Sequence, residues 1–288
     1  MTSVCFFSSY FKGDSIPFYV KIYLDELKRH FSQIVLLTNQ KHLAERELKY
    51  LSESNFQIRY YKNEGYDFGM WFKAFNEFPV HDYDRIALVN DSCILFKRLD
   101  KFFEWIEKSD FDVYGMTDSN AISYHLQSYF LVLKKASIIQ VKNYFNEQNI
   151  KENVRDVILQ YEVGLSSYLI KMKMRLSANF KHIDFLSEHN PMLYFSDELI
   201  KKGMPLIKKK IIYCSFRKEE YFSLMRMNFN IDPRHHIKLI KKVNGNNLII
   251  DFDLITKDIF TSDFFRRIQI YRIKNYLFQL MRKLKFWK

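Results

Sequence analysis

The sequence predicts an α/β domain built on a mostly parallel sheet flanked by helices over residues 1–260, followed by a basic amphipathic segment over 261–288. Three observations lead there. Short apolar runs alternate with stretches of helical periodicity through the first half, the order that builds a parallel sheet with crossover helices. Only 7 Gly and 5 Pro occur in 288 residues, and no Pro/Gly/Ser-rich stretch or repeat divides the chain. Its 48% hydrophobic and 27% charged residues are those of a folded globular protein long enough for a substantial core.

The elements follow in order. Residues 4–7 form a short apolar strand. Over 16–31, Val20, Tyr23, Leu24, Leu27 and Phe31 recur at the spacing of one helix face. A second strand at 34–37 leads to a helix at 41–51, and a third strand at 56–61 to a helix at 67–75. RIALV at 85–89 is a fourth strand. Beyond it, 113–116 and 129–133 read as strands and 136–145 as a helix. A longer helix is expected over 153–171, and a short one over 196–202 that Gly203 ends. Residues 208–213 suit a strand, and 219–260 carry no clear pattern.

Cys5, Cys93 and Cys214 are odd in number and lack CxxC or metal-ligand spacing, so buried reduced thiols are expected. No basic segment precedes an apolar run at the start, and no run approaches the ~18 apolar residues of a spanning helix. A cytoplasmic protein is the expectation. The formal charge is +12, of which +7 lies in 262–288: eight Lys and Arg against Asp263 alone, interleaved with Phe, Ile, Leu and Trp. That pattern suits an anionic membrane surface. A helix packed on its own domain is the alternative. Nucleic acid fits less well, because no RNP, zinc-finger or helix-turn-helix signal accompanies the charge.

Several motifs could carry chemistry. Asn90-Asp91-Ser92 directly follows the fourth strand, and ligands of open α/β sheets sit beyond the carboxyl ends of strands. A carboxylate there can hold a divalent cation on a diphosphate; an Asx turn suits the same residues. In 62–69, Gly65 and Gly69 would let backbone approach a ligand. Asp67 could accept hydrogen bonds from a ribose or base, or cap a helix beginning at Phe68. Neither GxGxxG nor GxxxxGK[ST] occurs, which argues against a dinucleotide oxidoreductase or a P-loop NTPase. Asp118 and His125 are candidate general bases, with polar loops as the plainer reading. Glu162 is a further base candidate if it faces inward, and a surface residue otherwise. His182 and His189 could complete a metal site, although single histidines are more often structural.

The ordered segments NEGYDFGMW, LVNDSCIL, GMTDS, HLQSYFLVLKK and NPMLYFSDELIKKGMPLIKKK closely resemble the rhamnan synthesis protein F family, glycosyltransferases of bacterial surface-polysaccharide loci. The resemblance runs from Val4 to Tyr213. It implies a GT-A-like fold and a nucleotide-sugar donor carrying rhamnose or a similar sugar. It also implies a lipid-linked acceptor (an O-antigen, capsule or rhamnan precursor) at the inner membrane face, and inversion at the anomeric carbon, because a direct displacement needs only one base. Asn63, Gly65 and Asp67 match its N-x-G-x-D stretch, expected at the nucleotide. Asn90, Asp91 and Ser92 stand where GT-A enzymes usually carry Asp-x-Asp, so Asp91 is expected to hold Mg²⁺ or Mn²⁺. Asp118 and Ser119, with His125, Gln127 and Ser128, are expected to line the sugar and acceptor side. Asn190, Pro191, Gly203, Pro205 and Lys208 match a block to which the resemblance assigns no role, and Lys62 stands where Arg is common. Two other readings remain open: sugar-phosphate or glycerol-phosphate transfer, and a non-catalytic basic membrane-binding module.

Overall fold

The computed structural model describes residues 2–185 and 191–209. Its strands and helices, in chain order, are β1 (Ser3–Ser9), α1 (Phe18–Leu27), β2 (Gln33–Thr38), α2 (Glu45–Glu53), β3 (Gln57–Tyr60), α3 (Tyr66–Glu77), β4 (Arg85–Asn90) and β5 (Cys93–Leu95). Then come α4 (Asp100–Lys108), β6 (Val113–Ser119), β7 (His125–Leu126), β8 (Phe130–Lys134) and α5 (Lys135–Asn146). A helical run follows as α6 (Val154–Asp156), a π-helical stretch (Val157–Val163) and α7 (Gly164–Lys171). The described chain closes with β9 (Leu176–Phe180), α8 (Pro191–Tyr194), α9 (Ser196–Lys201) and β10 (Leu206–Lys208).

The main sheet runs β3-β2-β1-β4-β8-β6-β7, with β9 beside β6. Strands β1 to β4 are mutually parallel, β8 opposes β4 and β6, and β9 runs parallel to β6. This is the α/β class expected from the sequence, a mostly parallel sheet flanked by helices. β1 is buried along all seven residues, because both faces of a central parallel strand are covered by helices. Cys5 and Phe7 share one core with Val20, Tyr23 and Leu24 of α1 and with Phe102 of α4. Val4 and Phe6 point the other way, into a core with Trp71 and Phe75 of α3 and Val141 of α5. Phe7 meets Tyr23 edge-on at 5.2 Å, and Phe6 meets Phe78 at 5.1 Å.

One buried carboxylate ties the first helix to a distant loop. Glu26 of α1 accepts from the Leu99 N–H at 2.8 Å and pairs with Arg98 at 2.6 Å and Arg29 at 3.2 Å. Burial alone would raise its pKa, but hydrogen bonds from His30, Leu99, Arg98 and Arg29 outweigh that and hold it at about 2.

Four expectations are corrected. The helix expected over 153–171 is continuous in direction but π-wound over Val157–Val163. β5, β7 and β9, with lengths of 3, 2 and 5 residues, were not anticipated; the first two are too short for periodicity to show. Helix α4 was missed because only Phe102, Phe103 and Ile106 mark its buried face. The strand placed at 208–213 meets β10 (Leu206–Lys208) only at Lys208, and its residues 210–213 lie outside the described residues. Residues 210–288, including the 261–288 segment, the 219–260 stretch and Cys214, lie outside the described residues, as do His189 and Asn190. Among the described residues no helix is long and apolar enough to cross a membrane.

Candidate functional site

The carboxyl ends of β1, β4 and β6 lie along one edge of the sheet, since these strands share a direction. β4 and β6 are separated by β8, which puts their ends about 10 Å apart at the usual strand spacing.

On the β1–β4 side the chain assembles a polar cluster. Ser8 of β1 donates to Asp67 Oδ1 at 3.2 Å, and Asn90 Nδ2 donates to Asp67 Oδ2 at 2.7 Å. The Ser92 N–H donates to Asn90 Oδ1 at 3.1 Å, so the Asx turn read from Asn90-Asp91-Ser92 is present. Asp91 Oδ2 accepts from the Tyr19 hydroxyl at 2.8 Å and lies 3.0 Å from Lys209 Nζ. Lys208 Nζ donates to Ser92 Oγ at 3.1 Å and sits 4.7 Å above the Tyr129 ring. Burial, and then the Asp91 charge, push Asp67 up to about 7, against the Ser8 hydrogen bond and the positive charges of Lys208 and Lys209.

Asp67 does not cap a helix beginning at Phe68. α3 begins at Tyr66, Gly65 is its N-cap at φ 70°, and no side chain bonds the cap. The Asp67 carboxylate turns to Ser8 and Asn90 instead. The junction before it is tight: a Cβ on Gly69 would fall 1.7 Å from the Glu64 carbonyl oxygen. Tyr66 itself has φ 55° and is 44% exposed, a strained conformation of the kind that clusters at ligand sites. Asn63 is exposed on this loop.

Across β8, Asp118 is buried near the end of β6. Its Oδ1 accepts from the His182 N–H at 2.5 Å and lies 3.0 Å from His182 Nδ1. His182 is half-buried, and Asp118 is 2% exposed. Thr117 Oγ1 meets the Tyr129 hydroxyl at 2.7 Å and Gln127 Oε1 at 3.2 Å, so Gln127 bonds within the sheet. The Ala121 N–H donates to Ser119 Oγ at 3.2 Å. His125 Nδ1 lies 2.8 Å from the Ser123 carbonyl oxygen, a bond within its own loop. Glu162 is not a free surface residue: its Oε1 accepts from both the N–H and the Oγ of Ser128, at 2.7 and 3.0 Å. The π-helical stretch, a winding often found at functional sites, carries Glu162 there.

The structure therefore joins Asp67, Asn90, Asp91 and Ser92 in one cluster and places Asp118 opposite. Glu162 and Ser128 form a separate pair. Sequence reasoning missed Ser8, Tyr19 and Lys209, assigned Lys208 no role, and read His182 as a metal ligand or structural residue. The basic run at 208–210 after an apolar pair was a usable signal for the lysines; Tyr19 had none.

A divalent cation does not fit the donor set around Asp91. Such ions take oxygen ligands, preferably several charged ones. Here Asp91 Oδ2 already holds an ammonium group, and both oxygens of Asp67 accept neutral donors. Among the described residues, three acidic or histidine groups converge only at Glu26, His30 and Asp100. That place is already occupied by Arg29 and Arg98.

The family model described as rhamnan synthesis protein F matches residues 34–269. No curated protein matches the chain. Among solved structures, the chain is similar to a putative nucleotide-diphospho-sugar transferase from Desulfovibrio desulfuricans G20, at 13% identity and TM-score 0.44, covering 83% of this chain and 98% of that one. It is similar to the galactosyltransferase LgtC in complex with donor and acceptor sugar analogues, at 10% identity and TM-score 0.42, covering 82% and 100%. A cytidylyltransferase from Leptospira borgpetersenii serovar Hardjo-bovis (strain JB197) matches at 11% identity and TM-score 0.40, covering 85% and 98%.

Proposed function

The chain belongs to the rhamnan synthesis protein F family, and from that premise we propose that it is a glycosyltransferase. It moves a sugar from a nucleotide-sugar donor to a hydroxyl of a growing surface polysaccharide. The observation that carries this reading is the polar edge itself: Ser8, Asp67, Asn90 and Asp91 cluster at the carboxyl ends of β1 and β4, beside which open α/β sheets bind ligands.

The donor lies on the β1–β4 side. Asp67 and Asn90 orient the nucleoside, with Gly65 letting the loop carrying Asn63 approach it. The acceptor lies towards β6, beside Ser119, Gln127 and Ser128. Its hydroxyl oxygen attacks the anomeric carbon, the bond from that carbon to the diphosphate oxygen breaks, and the electron pair leaves on the nucleoside diphosphate. This single displacement inverts the anomeric centre and needs one base for the acceptor proton.

The Asp118–His182 pair supplies that base. Asp118 is buried, whereas His182 reaches the surface. With the proton on Nδ1, His182 donates to Asp118 and turns a basic Nε2 outward, the orienting logic of nucleophile–base–carboxylate sites. Glu162 holds the Ser128 segment in place instead.

The test compares wild type with Asp118→Asn and His182→Gln, using dTDP-rhamnose and UDP- and GDP-hexoses as donors. Both variants are expected to lose turnover by about 10²-fold or more while binding nucleoside diphosphate as wild type does. Unchanged turnover in both would remove the pair from the reaction.

A further inference from the structure

Two consecutive lysines reach the candidate site from a distant part of the chain. β10 pairs antiparallel with β5, placing Lys208 opposite Cys93, and the Lys209 N–H donates to the Ser92 carbonyl at 3.0 Å. β5 begins directly after Asn90-Asp91-Ser92. The pairing therefore fixes the backbone of both lysines beside the turn that follows β4.

Successive side chains of a strand point to opposite faces. Here the strand ends at Lys208, and both ammonium groups come to the same turn. Lys208 Nζ bonds Ser92 Oγ at 3.1 Å over the Tyr129 ring. Lys209 Nζ bonds Asp91 Oδ2 at 3.0 Å and the Tyr19 hydroxyl at 2.9 Å, 4.9 Å from the Tyr19 ring centre. The aromatic rings and Asp91 hold the ammonium groups in place, and neither ring nor carboxylate is a ligand for phosphate. The two positive charges face the cluster in which Asp67, pushed towards its neutral form, and Asp91 are the carboxylates.

Resting on the glycosyltransferase reading, we infer that Lys208 and Lys209 form a phosphate-binding pair for the diphosphate of the donor, that donor binding needs no divalent cation, and that Asp91 positions Lys209. The donor set calls for this assignment. A divalent cation at Asp91 would meet two ammonium groups, whereas a diphosphate between them gains charge-assisted hydrogen bonds from both. The same charges stabilise the nucleoside diphosphate as it departs, when its negative charge grows.

The test is calorimetric titration of the full chain with UDP, dTDP and GDP, each in excess EDTA and again with Mn²⁺. At least one nucleoside diphosphate is expected to bind with a Kd that differs by less than about threefold between the two conditions. Lys208→Met and Lys209→Met should each weaken it by about tenfold or more in EDTA, the ordinary loss for a hydrogen bond to a charged group. Lys208→Arg and Lys209→Arg should bind more tightly than the Met variants. Circular dichroism checks that each variant is folded, and the wild-type comparison of EDTA with Mn²⁺ stands without any variant. Binding only with Mn²⁺ would overturn the inference and leave the glycosyltransferase reading standing. So would unchanged binding in both folded Met variants. No binding by wild type in either condition would overturn both.

Discussion

Asp67 shows at the scale of one residue how the site sets stability against function. Its carboxyl is raised from 3.8 to about 7 by burial and by Asp91, so the folded state holds a proton that the unfolded chain has lost across that window. Stability therefore falls as pH rises from 3.8 to about 7, by about 4 kcal/mol at roughly 1.36 kcal/mol per pH unit. Asp67→Asn should remove that fall: melting above and below the window should show a smaller difference than in wild type, and nucleoside diphosphate binding should weaken. A variant that keeps the wild-type pH dependence would show that Asp67 is not its source. The sequence revealed Asp67 as a ligand-facing candidate, yet the cap it also suggested is absent, because the left-handed Gly65 starts α3 two residues earlier and frees the carboxylate. His182 shows the opposite failure. Its partner Asp118 lies 64 positions away in sequence, and no local pattern encodes a contact of that range.

At the scale of elements, the loop entering α3, which we propose faces the donor, depends on Gly69. Since a Cβ there would overlap the Glu64 carbonyl, Gly69→Ala must shift the loop or the first turn of α3. The expected cost is about 1–3 kcal/mol, set by backbone strain, with a loss of nucleotide binding larger than that of an exposed-surface Ala substitution. Thermal melting and calorimetry on the same variant check both, and a stable variant that binds normally would contradict this account. Most of the first-half elements were legible because four apolar strands and their helices each announce a period of 2 or 3.6. β5 and β10 were hidden for a physical reason. Each has three residues, each is defined by its partner, and together they deliver the two lysines. The helix over 153–171 was legible as a helix, but apolar periodicity over seven residues does not separate the π-winding of Val157–Val163 from an α-helical turn.

At the scale of the whole molecule, we propose that one half of the sheet edge takes the donor and the other the acceptor, and +7 of the net charge of +12 lies after residue 261. We propose that this basic segment holds the enzyme at an anionic membrane where its acceptor resides. A chain ending at residue 261 should lose binding to anionic vesicles and keep nucleotide binding; unchanged vesicle binding would remove that role. The central claim is that a sugar leaves a nucleoside diphosphate. It is tested most directly by incubating the full chain with dTDP-rhamnose and UDP- and GDP-hexoses, with a membrane-lipid extract as acceptor, and identifying the released nucleotide by mass. Release of a nucleoside diphosphate from one donor is the expected result. Release of a nucleoside monophosphate would mean that sugar phosphate is transferred, and release of no nucleotide from any donor would contradict the account.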